Sequence, residues 1–99
     1  MILLRVDDVD WVEAQRDYVS LHVAGKKHLL RETVARIESQ LDPANFIRIH
    51  RSTIVNLNRV KELHARYHGD YSVILNDGTR LTLSRGYRER VFAAVKQAP

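Results

Sequence analysis

The chain has 99 residues, 44% hydrophobic and 28% charged, which suits one small globular domain and leaves no room for a second core. It has no cysteine, so disulfide frameworks and thiolate metal sites are excluded. The net charge of +4 is unevenly spread: residues 1–47 carry six Lys or Arg against eight Asp or Glu, and residues 48–99 carry ten against four.

Ile2 to Val6 suggests a short strand that Asp7 and Asp8 end. Val9, Trp11, Val12 and Ala14 resume the apolar pattern, Gln15-Arg16-Asp17 breaks it, and Tyr18 to Val23 is rich in strand formers. Ala24-Gly25-Lys26 makes the next turn and Lys27 to Leu30 returns, so the first thirty residues predict an antiparallel meander. The period then changes. Val34, Ile37 and Leu41 fall at i, i+3 and i+7, which predicts an amphipathic helix over Arg31 to Leu41, stopped by Asp42-Pro43. Acids at Glu32, Glu38 and Asp42 mark it as a packing helix rather than one that reads DNA.

Phe46 to Asn56 places Arg48, His50, Arg51, Ser52 and Asn56 between the apolar anchors Phe46, Ile47, Ile49, Ile54 and Val55. Those polar groups are donors suited to an anionic surface. Val60 to His64 reads as another strand and Ala65 to Asp70 as a loop. Tyr71 to Asn76 and Thr79 to Ser84 flank Asp77-Gly78, which predicts a two-residue type I′ hairpin. That register sets Ile74 opposite Leu81 and Ser72 opposite Leu83, with Ile74, Leu81 and Leu83 on the buried face. Tyr87, Val91 and Val95 end the chain at helical spacing, as a short helix or final turn. The expected fold is mostly β: seven or eight short antiparallel strands, one packing helix and a short C-terminal helix. No βαβ alternation or helix-turn-helix spacing is present.

Catalytic constellations are weak. His50 and Ser52 share a strand face, but no third member or nucleophile elbow accompanies them, and the glycines are isolated turn markers rather than a phosphate loop. His64 and His68 have a metal-like spacing, yet Gly69 follows at once, so loop histidines are expected and no cofactor or metal is implied. Twelve of the sixteen basic residues are Arg, whose planar fork suits phosphates and guanine edges. The basic half therefore points to nucleic acid, against the alternative of a solvated face. Trp11, Val34, Ile37, Phe46, Ile49, Leu81 and Phe92 are expected in the core, leaving Tyr18, Tyr67, Tyr71 and Tyr87 as stackers should the partner be single-stranded RNA. A basic protein-interaction module is the other rival. For duplex DNA, Arg51 and Arg85, each beside a Ser, are the side chains suited to base edges.

Phe46-Ile47-Arg48-Ile49-His50-Arg51-Ser52-Thr53-Ile54-Val55-Asn56 resembles the signature of the LytTR domain, the DNA-binding output module of LytR- and AgrA-type bacterial response regulators. Val9 to Val23, Leu29-Leu30-Arg31 with the following helix, Asn76-Asp77-Gly78 and Leu83-Ser84-Arg85 extend the resemblance over nearly the whole chain, 1–99. It implies an elongated fold of small antiparallel sheets whose loops, not a recognition helix, enter successive major grooves of double-stranded DNA. Carried onto this chain, base contacts fall at Arg16 or Asp17, at Arg51 and at Arg85. Ser52 and Arg88 resemble backbone-clamping positions, with His50 and Arg48 behind them. For Arg48 a structural salt bridge is the alternative, and Asn56 is expected to tie its own loop. Tandem repeat sites shared by two copies, and a sensor or receiver domain missing from this chain, are implied too. With no apolar run near the roughly 20 residues that span a bilayer and no signal-peptide pattern, a cytoplasmic protein is expected.

Overall fold

A computed structural model describes residues 3–95. They form strands β1 (Trp11–Gln15), β2 (Tyr18–Val23), β3 (Lys26–Leu30), β4 (Phe46–His50), β5 (Thr53–Asn56), β6 (Val60–Ala65), β7 (Tyr71–Leu75) and β8 (Arg80–Leu83), with helices α1 (Val34–Gln40) and α2 (Arg88–Ala94). One sheet has the order β3-β2-β1-β5-β4 and the other β6-β7-β8. Every pairing is antiparallel. The described residues extend 45 × 25 × 22 Å, mostly β as the strand pattern predicts and elongated as the family resemblance implies.

The five-stranded sheet is the middle layer, and the strand period of two sends alternate residues into two cores, one on each face, where the chain length predicts a single one. Val12, Val19, Leu21, Phe46 and Ile54 pack with Val9 and with Ile37 of α1. On the other face Trp11, Ile47, Ile49 and Val55 meet Val73, Leu75 and Leu83 of the second sheet and Val91 of α2. Burial on both faces is why β4 and β5 read as nearly continuous apolar runs. Helix α1 begins at Val34 rather than Arg31, because the Thr33 hydroxyl caps it by accepting the Arg36 backbone N–H at 3.2 Å.

Two further sequence expectations are corrected. Over Leu3 to Val6 there is no strand, and Val6–Asp8 is a 3-10 turn; Ile2 lies outside the described residues. The buried Asn56 amide explains this, since it donates to the carbonyls of Asp7 (3.3 Å) and Val9 (2.9 Å), turning the chain so that Val9 enters the core.

The β7–β8 connection has three residues rather than two. Gly78 N–H bonds the Leu75 carbonyl and Leu75 N–H bonds the Thr79 carbonyl, both at 2.9 Å. Of Asn76, Asp77 and Gly78 only Gly78 has a positive φ, +90°, whereas a type I′ turn needs two. The Asp77 carboxylate accepts the Thr79 N–H at 2.9 Å, which locks the wider turn and holds the Asp77 pKa below its ordinary value. Ile74 therefore pairs with Arg80 and Tyr71 with Leu83. A one-residue slip exchanges the faces, so Val73 and Leu75, not Ile74, are buried.

Candidate nucleic-acid interface

Strand pairing carries three turns to one end of the molecule. Gln15 pairs with Tyr18, which leaves Arg16-Asp17 as a two-residue turn. His50 pairs with Thr53 past a bulge at Ile49, which leaves Arg51-Ser52 as another. The Ala14 N–H bonds the Ser52 carbonyl at 2.8 Å, so the two turns lie side by side. The Ser84 N–H bonds the Ile49 carbonyl at 2.8 Å and brings the exit of β8, where Arg85 stands, against β4. Arg16, Asp17, Arg51 and Arg85 are all exposed. Arg16 has φ +52°, a conformation that costs a non-glycine residue about 1–2 kcal/mol and that fixes its side chain at the turn apex.

Arg48 is used inside the protein. Its guanidinium donates through Nε to the His50 carbonyl (3.0 Å), through Nη2 to the Arg51 carbonyl, and through Nη1 to Glu38 of α1 at 3.1 Å. Its side chain is only 14% exposed. The structural salt bridge is thus present, and it grips the backbone of the turn that displays Arg51. His50 is locked as well: the Ser52 N–H donates to Nδ1 at 3.2 Å, and the Ser52 hydroxyl lies 2.9 Å from the same atom. Nδ1 is therefore an acceptor, and the neutral ring carries its proton on Nε2.

The β6–β7 connection is the loop expected from the sequence, but its place beside Arg85, over Arg66 to Asp70, is not legible there. The Asp70 carboxylate accepts the Arg85 N–H at 2.9 Å, and the Asp70 carbonyl accepts the Arg66 N–H at 2.8 Å. Gly69, at φ +85°, lies under the Arg85 and Arg88 side chains: a Cβ there would come 2.9 Å from Arg88 Nη1 and 3.2 Å from Arg85 Cγ. The Gly69-Asp70 pair was the available signal, but it reads only as a turn until the fold sets it beside Arg85.

Among the tyrosines, Tyr67 is 86% and Tyr18 45% exposed, whereas Tyr71 and Tyr87 pack against the second core. Phe92, expected in the core, is 36% exposed and meets the Tyr71 ring edge-on. No group of three His, Asp or Glu suited to a metal occurs among the described residues, and no described helix is long and apolar enough to cross a membrane.

Among the described residues, arginine-bearing turns gather at one end of an antiparallel β scaffold. The model of the LytTr DNA-binding domain matches residues 1–96, and the chain belongs to that family. It is 29% identical over 93 residues to the transcriptional regulatory protein LytR of Staphylococcus aureus (strain MW2), covering 94% of this chain and 38% of that protein. It is 25% identical over 91 residues to the sensory transduction protein LytT of Bacillus anthracis, covering 92% and 37%. A solved LytTr DNA-binding domain from Bacillus cereus has the same fold, with a TM-score of 0.86 at 24% identity over 94% of this chain and 85% of that one. The chain spans under two-fifths of the length of these two regulators.

Proposed function

We propose that the chain is the sequence-specific, double-stranded DNA-binding part of a bacterial transcription regulator, reading major grooves through its turns. The convergence of the Arg16-Asp17, Arg51-Ser52 and Arg85 segments at one end supports this most directly. The centres of the first two turns are two strand spacings apart, about 10 Å. They are separate probes of the duplex rather than one cluster. Arg51 and Arg85 each take a guanine O6/N7 edge, with Arg16 or Asp17 as the third base contact. Ser52, His50 through Nε2, and Arg88 hold phosphates. Arg48 acts as a positioning residue for the Arg51 turn, because three of its five N–H donors are engaged inside the protein.

No catalytic step is assigned to the domain. We further propose that it works in the cytoplasm on tandem repeat sites, with a second copy on the same DNA, and under a sensor or receiver domain elsewhere in the regulator. The test is a fluorescence titration of duplex, single strand and heparin at two salt concentrations. The proposal expects a selected duplex to remain bound in the presence of competitor. Equal affinity for all three polyanions would refute it, and preference for the single strand would favour RNA reading through Tyr18 and Tyr67.

A further inference from the structure

The second sheet has an outer face that the three turns do not use. His64, Ser72 and Thr82 lie opposite one another across β6, β7 and β8, and their neighbours Leu63, Val73 and Leu81 point into the core, so this row faces away from it. Together with Ala65, Arg66, Arg80 and Leu81 they line an open groove of about 560 Å³. Its chemistry is cationic and hydroxylic. Arg66 and Arg80 have no acidic partner among the described residues, and the one acid in the adjoining row, Glu62, faces His64 at 3.5 Å. Thr82 adds an exposed hydroxyl to the lining, and Ser72, largely buried, stands beside it in the row.

We propose that this groove carries the phosphate backbone of the duplex flanking the segment held by Arg85. The proposal rests on the DNA-binding reading and extends its footprint. Continuity with the interface favours duplex backbone as the occupant. Arg66 belongs to the turn fastened to Arg85 through Asp70, and Arg80 lies five residues before Arg85, within about 18 Å even for fully extended chain. Exposed Tyr67 stands next to Arg66 on the same turn, where its ring packs against a sugar.

The experiment uses one duplex of about three helical turns selected from random sequence, and the same duplex trimmed to the core site. Binding is measured over a salt series for wild type, Arg66→Ala/Arg80→Ala and Thr82→Lys. The double variant should bind the long duplex about tenfold more weakly, with a salt slope smaller by about 2, and bind the trimmed duplex like wild type. Thr82→Lys should tighten binding to the long duplex alone. Equal losses on both duplexes, or none on either, overturn the proposal. If wild type binds selectively and the variants behave like it, the groove fails and the DNA reading stands; if wild type shows no preference for the selected duplex, both fail.

Discussion

Replacing Arg48 by Ala removes three donors at once from the base of the Arg51 turn. The two bonds to the His50 and Arg51 carbonyls come from a charged group that is 14% exposed, and such bonds contribute about 1.5 kcal/mol each at the low end of their range. The Glu38 partner is 39% exposed, so that pair adds no more than about 0.5 kcal/mol after solvent screening. The sum, about 3 kcal/mol, lowers the melting temperature of a domain this size by about 12–24 °C. Glu38→Gln, which spares the carbonyl bonds, should cost under about 1 kcal/mol. Arg48→Lys keeps the charge but not the fork and should fall between them. Calorimetric melts read the stability. DNA titrations over a salt series read the role: a positioning residue lowers affinity for the selected duplex without changing the salt slope, whereas a phosphate ligand lowers the slope by about 1. An Arg48→Ala protein that melts within a few degrees of wild type and binds with unchanged affinity would refute the account of this latch.

Three further outcomes are expected. Burial is the main reason the His22 pKa lies below 6.5, with Lys27 acting in the same direction and Glu13 and Asp10 against it, while the ring stacks on Trp11 at 3.7 Å. The unfolded chain therefore takes up this proton first, so His22 contributes stability above pH 6.5 that is lost as the pH falls through the depressed folded value. His22→Phe should flatten melting temperature against pH over that window, and a curve parallel to wild type would contradict this. Gly78→Ala places a side chain at φ +90° in open space, so it should destabilise by about 1–2 kcal/mol in a denaturant titration through backbone strain alone. Arg88→Ala should weaken selected and scrambled duplexes alike and lower the salt slope by about 1; a loss confined to the selected duplex would make Arg88 a base reader.

The alternation that builds the middle sheet is visible in the sequence because β4 and β5 have apolar residues on both faces and turn residues at their ends. Where parity was ambiguous, the sequence was less informative. Val73, Ile74 and Leu75 are three consecutive apolar residues, so either register satisfies the pattern, and the turn length that decides between them depends on an Asp77 bond that is invisible before folding. Leu3, Leu4 and Val6 look like strand formers, but the Asn56 amide captures the chain just after them. The candidate site shows the same division. Arg51 and Arg85 stand out as arginines beside serines at strand ends, but whether Arg48 faces solvent or Glu38 depends on where α1 docks. The role of the β6–β7 turn depends wholly on contacts across the fold with Arg85 and Arg88.

The most direct test of the central claim is selection of duplexes from random sequence by wild type, Arg51→Ala and Arg85→Ala, followed by affinity measurement on the enriched site. Each substitution should cost about 1–3 kcal/mol on that site and relax base preference at one position, different for the two arginines. Enrichment of the same site with unchanged affinity by both variants would contradict the claim that these turns read DNA.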